Sequence, residues 1–346
     1  MNVDYIIVGL GLAGVAFAEE LTAQNKSFIV YEDNSQNSSL VAGGMYNPVI
    51  LKRFTPVWNA EEQLRTALTY YKQLEKKLNN SYDHKIDIYR IFKSVEEQNN
   101  WFLACDKILL QDYMSSKLIR NENEYVEAPF GYGRLVHTGR IDVNSLIGDY
   151  RAFLLEIKIL KKEKFLYDKI IFEKDGLVYK NVKAKRIVFC EGYGIKQNPY
   201  FSSLPMKEAK GELITIHAPD LNVEHLIKAA VFVLPLGDDL YKVGATFNWK
   251  DKSDLPTEEG KEELVKKLNT FIKCKYEIVD QLAGIRPTII DRRPILGLHP
   301  EYEQLAVLNG LGTRGVMIAP LMAKKLFQHL EHDVPLDHEI SINRFK

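Results

Sequence analysis

Apolar residues follow two rhythms along this chain, and the changes of rhythm mark its elements. Residues 5–8 (YIIV) and 27–31 (SFIVY) are short continuous apolar runs, the pattern of strands buried on both faces of a parallel sheet. Residues 12–24 (LAGVAFAEELTAQ) between them carry helical spacing. The clearest amphipathic helix covers 60–78, where Leu64, Ala67, Leu68, Tyr71, Leu74 and Leu78 share one face and charges fill the other. Alternation predicts a strand at 87–92, and a helix follows at 96–110. Another helix is predicted over 142–155, with Asp142 as its N-cap. Residues 165–171 and 176–179 make a hairpin around Lys174-Asp175-Gly176, and 186–190 a short apolar strand.

From there the pattern changes. The runs 210–217, 229–234 and 240–246, with turn residues at Pro219-Asp220 and Gly237-Asp238-Asp239, predict successive strands without intervening helices. That is an antiparallel sheet belonging to a second domain. A basic helix over 257–274, a strand at 305–308 and a closing helix over 319–330 complete the chain. No internal repeat or low-complexity tract interrupts it. The expected fold class is α/β, α+β overall. Residues 1–80, 140–200 and 280–346 form a discontinuous nucleotide domain, and 81–139 and 201–279 form an inserted β-rich substrate domain. A length of 346 residues agrees with two domains.

The first strand runs straight into Gly9-Leu10-Gly11-Leu12-Ala13-Gly14. Gly9 permits the tight turn, Gly11 lets backbone approach a pyrophosphate, and Gly14 lets helix and strand pack closely. The free N–H groups at the helix start then face the phosphates. The second strand ends in Glu32-Asp33, with Glu32 23 residues after Gly9, where an acid can hold ribose hydroxyls. By itself this turn allows NAD, NADP or FAD. Gly43-Gly44 suits a close approach of backbone to a flat or charged group, or a plain glycine-rich turn. Glu191-Gly192 is a second strand-to-glycine turn that would bring another loop to the same nucleotide.

Composition narrows the partners. Lys and Arg number 46 and Asp and Glu 46, so zero net charge supplies no global drive toward nucleic acid or membrane. Cys105, Cys190 and Cys274 are scattered, which supports neither a disulfide framework nor a zinc site; reduced, partly buried thiols and no metal are expected. The chain enters a strand within three residues of Met1, and no apolar run approaches the roughly 18 residues of a membrane span. No signal peptide is expected, and the cytoplasm is the expected location.

GLGLAG, AGGMYNP, LPLGDDLYKVGATF, GIRPTIIDRRPILG and NGLGTRGVMIAPLMA occur in that order. With them the chain resembles the D-amino-acid-oxidase-like FAD-dependent oxidoreductases, which include glycine oxidase, sarcosine oxidase and D-amino-acid dehydrogenase. The closing motif is similar to the FAD-dependent half of the bifunctional tRNA methylaminomethyl-uridine biosynthesis protein, whose methyltransferase half is missing here. The resemblance implies a Rossmann-like FAD-binding domain. It implies a cradle of Gly9, Gly11, Leu12, Ala13, Gly14, Glu32, Asp33, Gly43, Gly44, Met45, Gly192, Gly312, Thr313, Gly315 and Val316. FAD is expected to be noncovalent, because Leu298-His299-Pro300-Glu301 holds no cysteine where some members attach the flavin.

The resemblance implies oxidation of a C–N bond by hydride transfer, the flavin carrying the difficult chemistry. A carboxylate substrate needs an anchor, and arginine's planar fork fits one. Arg286 matches the family's carboxylate-binding arginine. Arg314, in the closing glycine-rich loop, would bind substrate or stabilise charge on the reduced flavin. Arg292-Arg293 suits an ion pair, and His137, beside Arg134 and Arg140, a structural role. Glycine oxidase favours a tyrosine three residues before the proline of the substrate strand; Phe232 stands there, leaving Tyr46 and Tyr241 as substitutes. The expected substrate is a small-molecule amine or amino acid. Alternatives are a tRNA wobble-uridine side chain, with the Lys-rich segments 158–164 and 180–186 as a phosphate patch, or a flavin-binding protein without turnover. The oligomeric state is open.

Overall fold

The computed structural model describes residues 1–345; Lys346, which ends the last segment of the expected nucleotide domain, lies outside them. Two sheets organise the chain. In the first, Leu160–Lys161, Phe28–Tyr31, Asn2–Val8 and Val182–Phe189 are parallel neighbours. Val182–Phe189 is the pivot. On its far side its first residues pair antiparallel with Gly176–Tyr179, and its last pair parallel with Leu305–Asn309. The continuous apolar runs are buried on both faces, as such strands require. Tyr5 and Ile7 meet the helical layer, while Ile6 and Val8 meet an aromatic layer with Phe165, Tyr179 and Phe189.

The second sheet runs Glu277–Arg286, Ala209–His217, Leu240–Gly244, Phe232–Gly237, Leu226–Lys228, Ile88–Ile91, Tyr132–Leu135. Its neighbours are antiparallel except Leu226–Lys228 with Ile88–Ile91. One face carries Ile214, Val233 and Val243 into a core with the helix Glu258–Leu268; the other carries Leu213, Phe232 and Leu234 toward the first sheet.

Several elements differ from the sequence pattern, each for a local reason. The run expected as one strand over 229–234 is a hairpin, Leu226–Lys228 against Phe232–Gly237. Its turn at Ala229-Ala230-Val231 carries none of the usual turn residues, so hydropathy alone hides it. The helix expected at 96–110 spans Val95–Cys105, starting where the Ser94 hydroxyl accepts the Glu97 amide. The basic helix expected to reach Cys274 stops at Leu268. The first arm of the expected 165–171 hairpin is only Ile170–Glu173. Asp142 does cap its helix, accepting the Ser145 amide.

The closing helix starts at Gly315, not Ala319, with Pro320 inside it. A proline there deprives the carbonyl four residues earlier of its donor. That carbonyl belongs to Val316, and the buried Tyr71 hydroxyl of the helix Ala60–Leu78 donates to it at 2.8 Å. One tyrosine thus replaces the missing backbone bond and joins the two helices. Tyr71→Phe leaves a buried carbonyl unpaired and is expected to cost about 1–3 kcal/mol in denaturant unfolding. Pro320→Ala restores an amide and should recover part of that loss in the double variant. An unchanged midpoint for Tyr71→Phe would contradict this role.

Candidate functional site

A cavity of about 870 Å³ lies between the two sheets. Its first wall is the carboxyl ends of the parallel strands: Val8, Tyr31, Cys190 and Asn309 all line it. Open α/β sheets bind ligands at that edge. Its second wall comes from the second sheet, with Gly211, Leu213, Phe232 and Arg286.

The glycine turn sits at the bottom of the first wall. Gly9 has φ +93°, and a Cβ on Gly14 would collide with the Gly9 carbonyl, so the helix Leu12–Ala23 starts hard against the strand. Gly11 caps that helix without a side-chain acceptor. The Leu12 amide bonds the Ser39 hydroxyl at 3.3 Å. The start of the closing helix reaches the same space through Gly312, Thr313, Gly315 and Val316, and it too has no side-chain cap. Two helix N-termini with their positive dipole ends therefore meet one cavity, a fitting place for a pyrophosphate.

Glu32 is buried and lines the cavity, as does exposed Asp33. The Glu32 carboxylate accepts from the amides of Leu10 and Asn34 and meets Arg151 at 3.4 Å. It clamps the turn itself as well as facing the cavity. Burial pushes its pKa up, against the pull of the Leu10 amide and Arg151.

Of the cradle predicted from sequence, Gly9, Gly11, Leu12, Ala13, Glu32, Asp33, Gly43, Gly44, Met45, Gly192, Gly312, Thr313, Gly315 and Val316 line this cavity. Gly14 does not; it packs helix on strand. Arg286 lines it and Arg314 does not. The Arg314 guanidinium donates to the Asn47 carbonyl at 3.1 Å, tying the closing loop to the loop that carries Gly43 and Gly44. Tyr46 bonds Asp83, and Tyr241 accepts the Val223 amide on the far face of the second sheet. Neither hydroxyl replaces a tyrosine at Phe232, which itself lines the cavity. His137 packs on Tyr113 and lies outside the lining, Arg134 pairs with Asp87, and Arg293 pairs with Glu339 at 3.2 Å. In the second Lys-rich segment Lys180, Lys183, Lys185 and Arg186 each have an acidic partner, whereas in the first Lys164 lines the cavity. All three cysteines are free and buried, and among the described residues no cluster of His, Cys, Asp and Glu suits a metal.

Arg286 has the most telling surroundings. Its guanidinium donates to the carbonyls of Lys210 (3.4 Å) and Thr246 (3.2 Å) and lies 4.1 Å over the Phe247 ring. Among the described residues no carboxylate comes within ion-pair distance. Burial pulls its pKa down to about 10. Gly211 leaves the room it occupies: a Cβ there would sit on the guanidinium. The Lys210 ammonium, itself fully buried, pairs with Asp251 at 2.5 Å and bonds the Leu255 carbonyl, fixing the strand that supplies one of Arg286's acceptors.

Sequence reasoning placed the Glu191-Gly192 turn at the nucleotide but counted only Gly192 into the cradle and gave Glu191 no role of its own. That carboxyl lines the cavity, is buried, and accepts from Asn198 (2.8 Å) and Tyr167 (2.6 Å). Burial raises its pKa to about 7. An acid directly after an apolar strand was the available signal. Lys228, a lone charge in the apolar run LIKAAVFVL, was passed over.

The raised Glu191 value has a sign. Folded protein keeps this proton from about 4.5, the ordinary value, up to about 7, while the unfolded chain gives it up. The stability it contributes is full below about 4.5 and lost as pH climbs through 7. Cofactor-free Glu191→Gln should therefore gain Tm over the unmodified protein at pH 8 and gain little at pH 4.5. Parallel Tm profiles across that range would refute it.

Comparison with known proteins gives a consistent picture. The family model described as FAD dependent oxidoreductase matches residues 4–329. The chain is similar to glycine oxidase of Bacillus subtilis, 23% identical with 98% of each chain covered. It is also similar to the tRNA 5-methylaminomethyl-2-thiouridine biosynthesis bifunctional protein MnmC of Marinobacter nauticus, 19% identical over 93% of this chain but 54% of that protein. In fold it matches iminodiacetate oxidase from Chelativorans sp., with TM-score 0.79, 16% identity and coverage of 97% and 99%. It likewise matches glycine oxidase from Geobacillus kaustophilus, with TM-score 0.78, 18% identity and 97% of both chains covered.

Proposed function

The chain belongs to the FAD dependent oxidoreductase family, and from that premise we propose that it oxidises the C–N bond of an amino acid or an N-substituted amino acid. Its cofactor is FAD, held noncovalently. When bound, FAD supplies a two-electron acceptor for the hydride on the carbon beside nitrogen.

Every other task falls to the chain. The helix starting at Leu12 offers amides and a positive dipole to the pyrophosphate. The first sheet and its helices are the cofactor domain, and the second sheet is the substrate domain. Arg286 holds the substrate carboxylate through its fork. It is already partly desolvated, and its neighbours are carbonyls and a ring rather than acids, so an incoming carboxylate displaces no counter-ion. The Phe247 face and the two carbonyls fix the plane of the fork, which orients the substrate's C–H. The amine enters neutral, so no side chain is needed as general base. Arg314 is a positioning residue acting through Asn47.

The observation that carries this reading is the cationic Arg286 in the cavity without an anionic partner among the described residues. Its test is anaerobic bleaching of the FAD-loaded protein by a panel of glycine, sarcosine, iminodiacetate and D-amino acids. At least one should bleach the flavin. Arg286→Ala should lower kcat/KM for it by about 2–5 kcal/mol of lost binding, or ~30-fold to several thousand-fold. Activity should also fall as pH rises through about 10, where Arg286 loses its proton. A flavin no amine reduces would leave a binding protein without turnover. An Arg286→Ala enzyme with unchanged kcat/KM would remove the anchor.

One surface favours a second reading, oxidation of a tRNA wobble-uridine side chain. Phe247 and Trp249 are 55% and 44% exposed, and Phe247 reaches the cavity. The Lys207 ammonium lies 5.4 Å over Trp249. Exposed aromatics beside a cation suit stacked bases, and salt-dependent tRNA binding lost in Trp249→Ala supports this reading.

A further inference from the structure

A second cation faces the same cavity. Lys228 lines it from the strand Leu226–Lys228. Among the described residues no hydrogen bond or ion pair reaches its ammonium; its neighbour is the Phe232 ring, 5.7 Å away. The charges around it are positive. Burial, with Arg90 and Lys267 nearby, pulls its pKa down to about 8. Both of those neighbours are neutralised elsewhere, Arg90 by Glu97 at 2.7 Å and Lys267 by Glu263. Lys228 alone of the three has no acid beside it. A largely desolvated ammonium without a partner is costly, and this cavity-facing position in an apolar strand would be cheaper to fill with leucine.

Registers place Lys228 relative to Arg286. Lys228 pairs with Phe232, Phe232 with Gly244, and Gly244 with Leu213, all side chains on one face. Arg286 lies on the same face, in register with Ala209 of the Leu213 strand. Four strand spacings across the sheet and the four residues from Leu213 to Ala209 along it separate their backbones, roughly 23 Å in all. Gly211, Leu213, Phe232 and Ala245 line the cavity between the two. The cavity is thus a trough across the sheet with one unpaired cation toward each end.

We propose that the substrate carries two anionic groups. The carboxylate beside the oxidised C–N bond sits on Arg286, and a second anion, carboxylate or phosphate, at the end of an extended N-substituent sits on Lys228. This rests on the reading of the cavity as the substrate site. A compact amino acid such as glycine cannot span the trough, so Lys228 sets specificity for long substrates over short ones. Lys228 is a specificity residue, remote from the reacting atoms.

The test needs no turnover. FAD-loaded protein is titrated with α,ω-dicarboxylates of roughly three to ten methylenes, chosen against the ~23 Å backbone span less the reach of the two side chains, and with monocarboxylates of equal length. Kd is read from the perturbed flavin spectrum. One chain length should bind at least tenfold more tightly as the dicarboxylate. That ratio should collapse toward one in Lys228→Met and persist in Lys228→Arg. An ω-phosphonocarboxylate series in parallel distinguishes the second anion: the series with the larger ratio names it. Equal Kd values for mono- and dianions at every length overturn the proposal, as does a ratio that survives Lys228→Met. Loss of FAD from Lys228→Met with the ratio intact in the remaining holoprotein would assign Lys228 to the cofactor instead. Because only binding is read, a protein that oxidises no amine still reveals whether Lys228 holds an anion.

Discussion

A guanidinium largely withdrawn from water, with no counter-ion among the described residues, is the constraint around which this molecule is arranged. Isolated buried charges are expensive, and structures normally pair them. Here the chain gives Arg286 two carbonyls and an aromatic face but, among the described residues, no acid. It also leaves out the side chain at Gly211 that would displace it. Lys210, buried beneath, uses Asp251 and Leu255 to steady the same strand. These details make sense together if an anion arrives from outside and completes the pairing.

The first sheet solves a different electrostatic problem with backbone alone. Parallel strands ending at one edge bring the starts of two helices, at Leu12 and Gly315, to the same cavity. Neither helix caps itself, so amides and dipoles remain for phosphate. In the second helix the Val316 carbonyl that Pro320 abandons accepts from Tyr71. One hydroxyl thereby joins the helix whose start lines the cavity to the helix Ala60–Leu78.

Much of this was legible in the sequence, for identifiable reasons. Continuous apolar runs, a glycine turn and a cap at Asp142 are local signals, and the strands, the turn and that helix stand where those signals put them. Arg286 was legible because its motif is unusual. The hairpin turn at Ala229–Val231 was not, since alanines lack turn chemistry and strand reversal is a tertiary choice. The helix start at Gly315 was hidden by Pro320, whose missing bond is repaired from a helix some 245 residues away in sequence. The place of Arg314, bonded to Asn47 outside the cavity lining, depends on loop packing that spacing cannot show. Lys228 was overlooked, and Glu191 given no role beyond its turn, because a charge in or after an apolar run reads as a surface residue until burial is known.

In the proposed reading, the two sheets facing one trough divide the tasks: backbone amides for the cofactor, side-chain cations for the substrate. The most direct test of that division is the dissociation constant of a simple non-oxidisable carboxylate, acetate or glycolate, measured by its perturbation of the bound flavin spectrum in the native protein and in Arg286→Lys. The account predicts saturable binding that weakens by at least about tenfold in the lysine variant, because the point charge lacks the fork, while FAD content stays the same. Equal binding in both proteins, or a flavin spectrum indifferent to carboxylates, would contradict it.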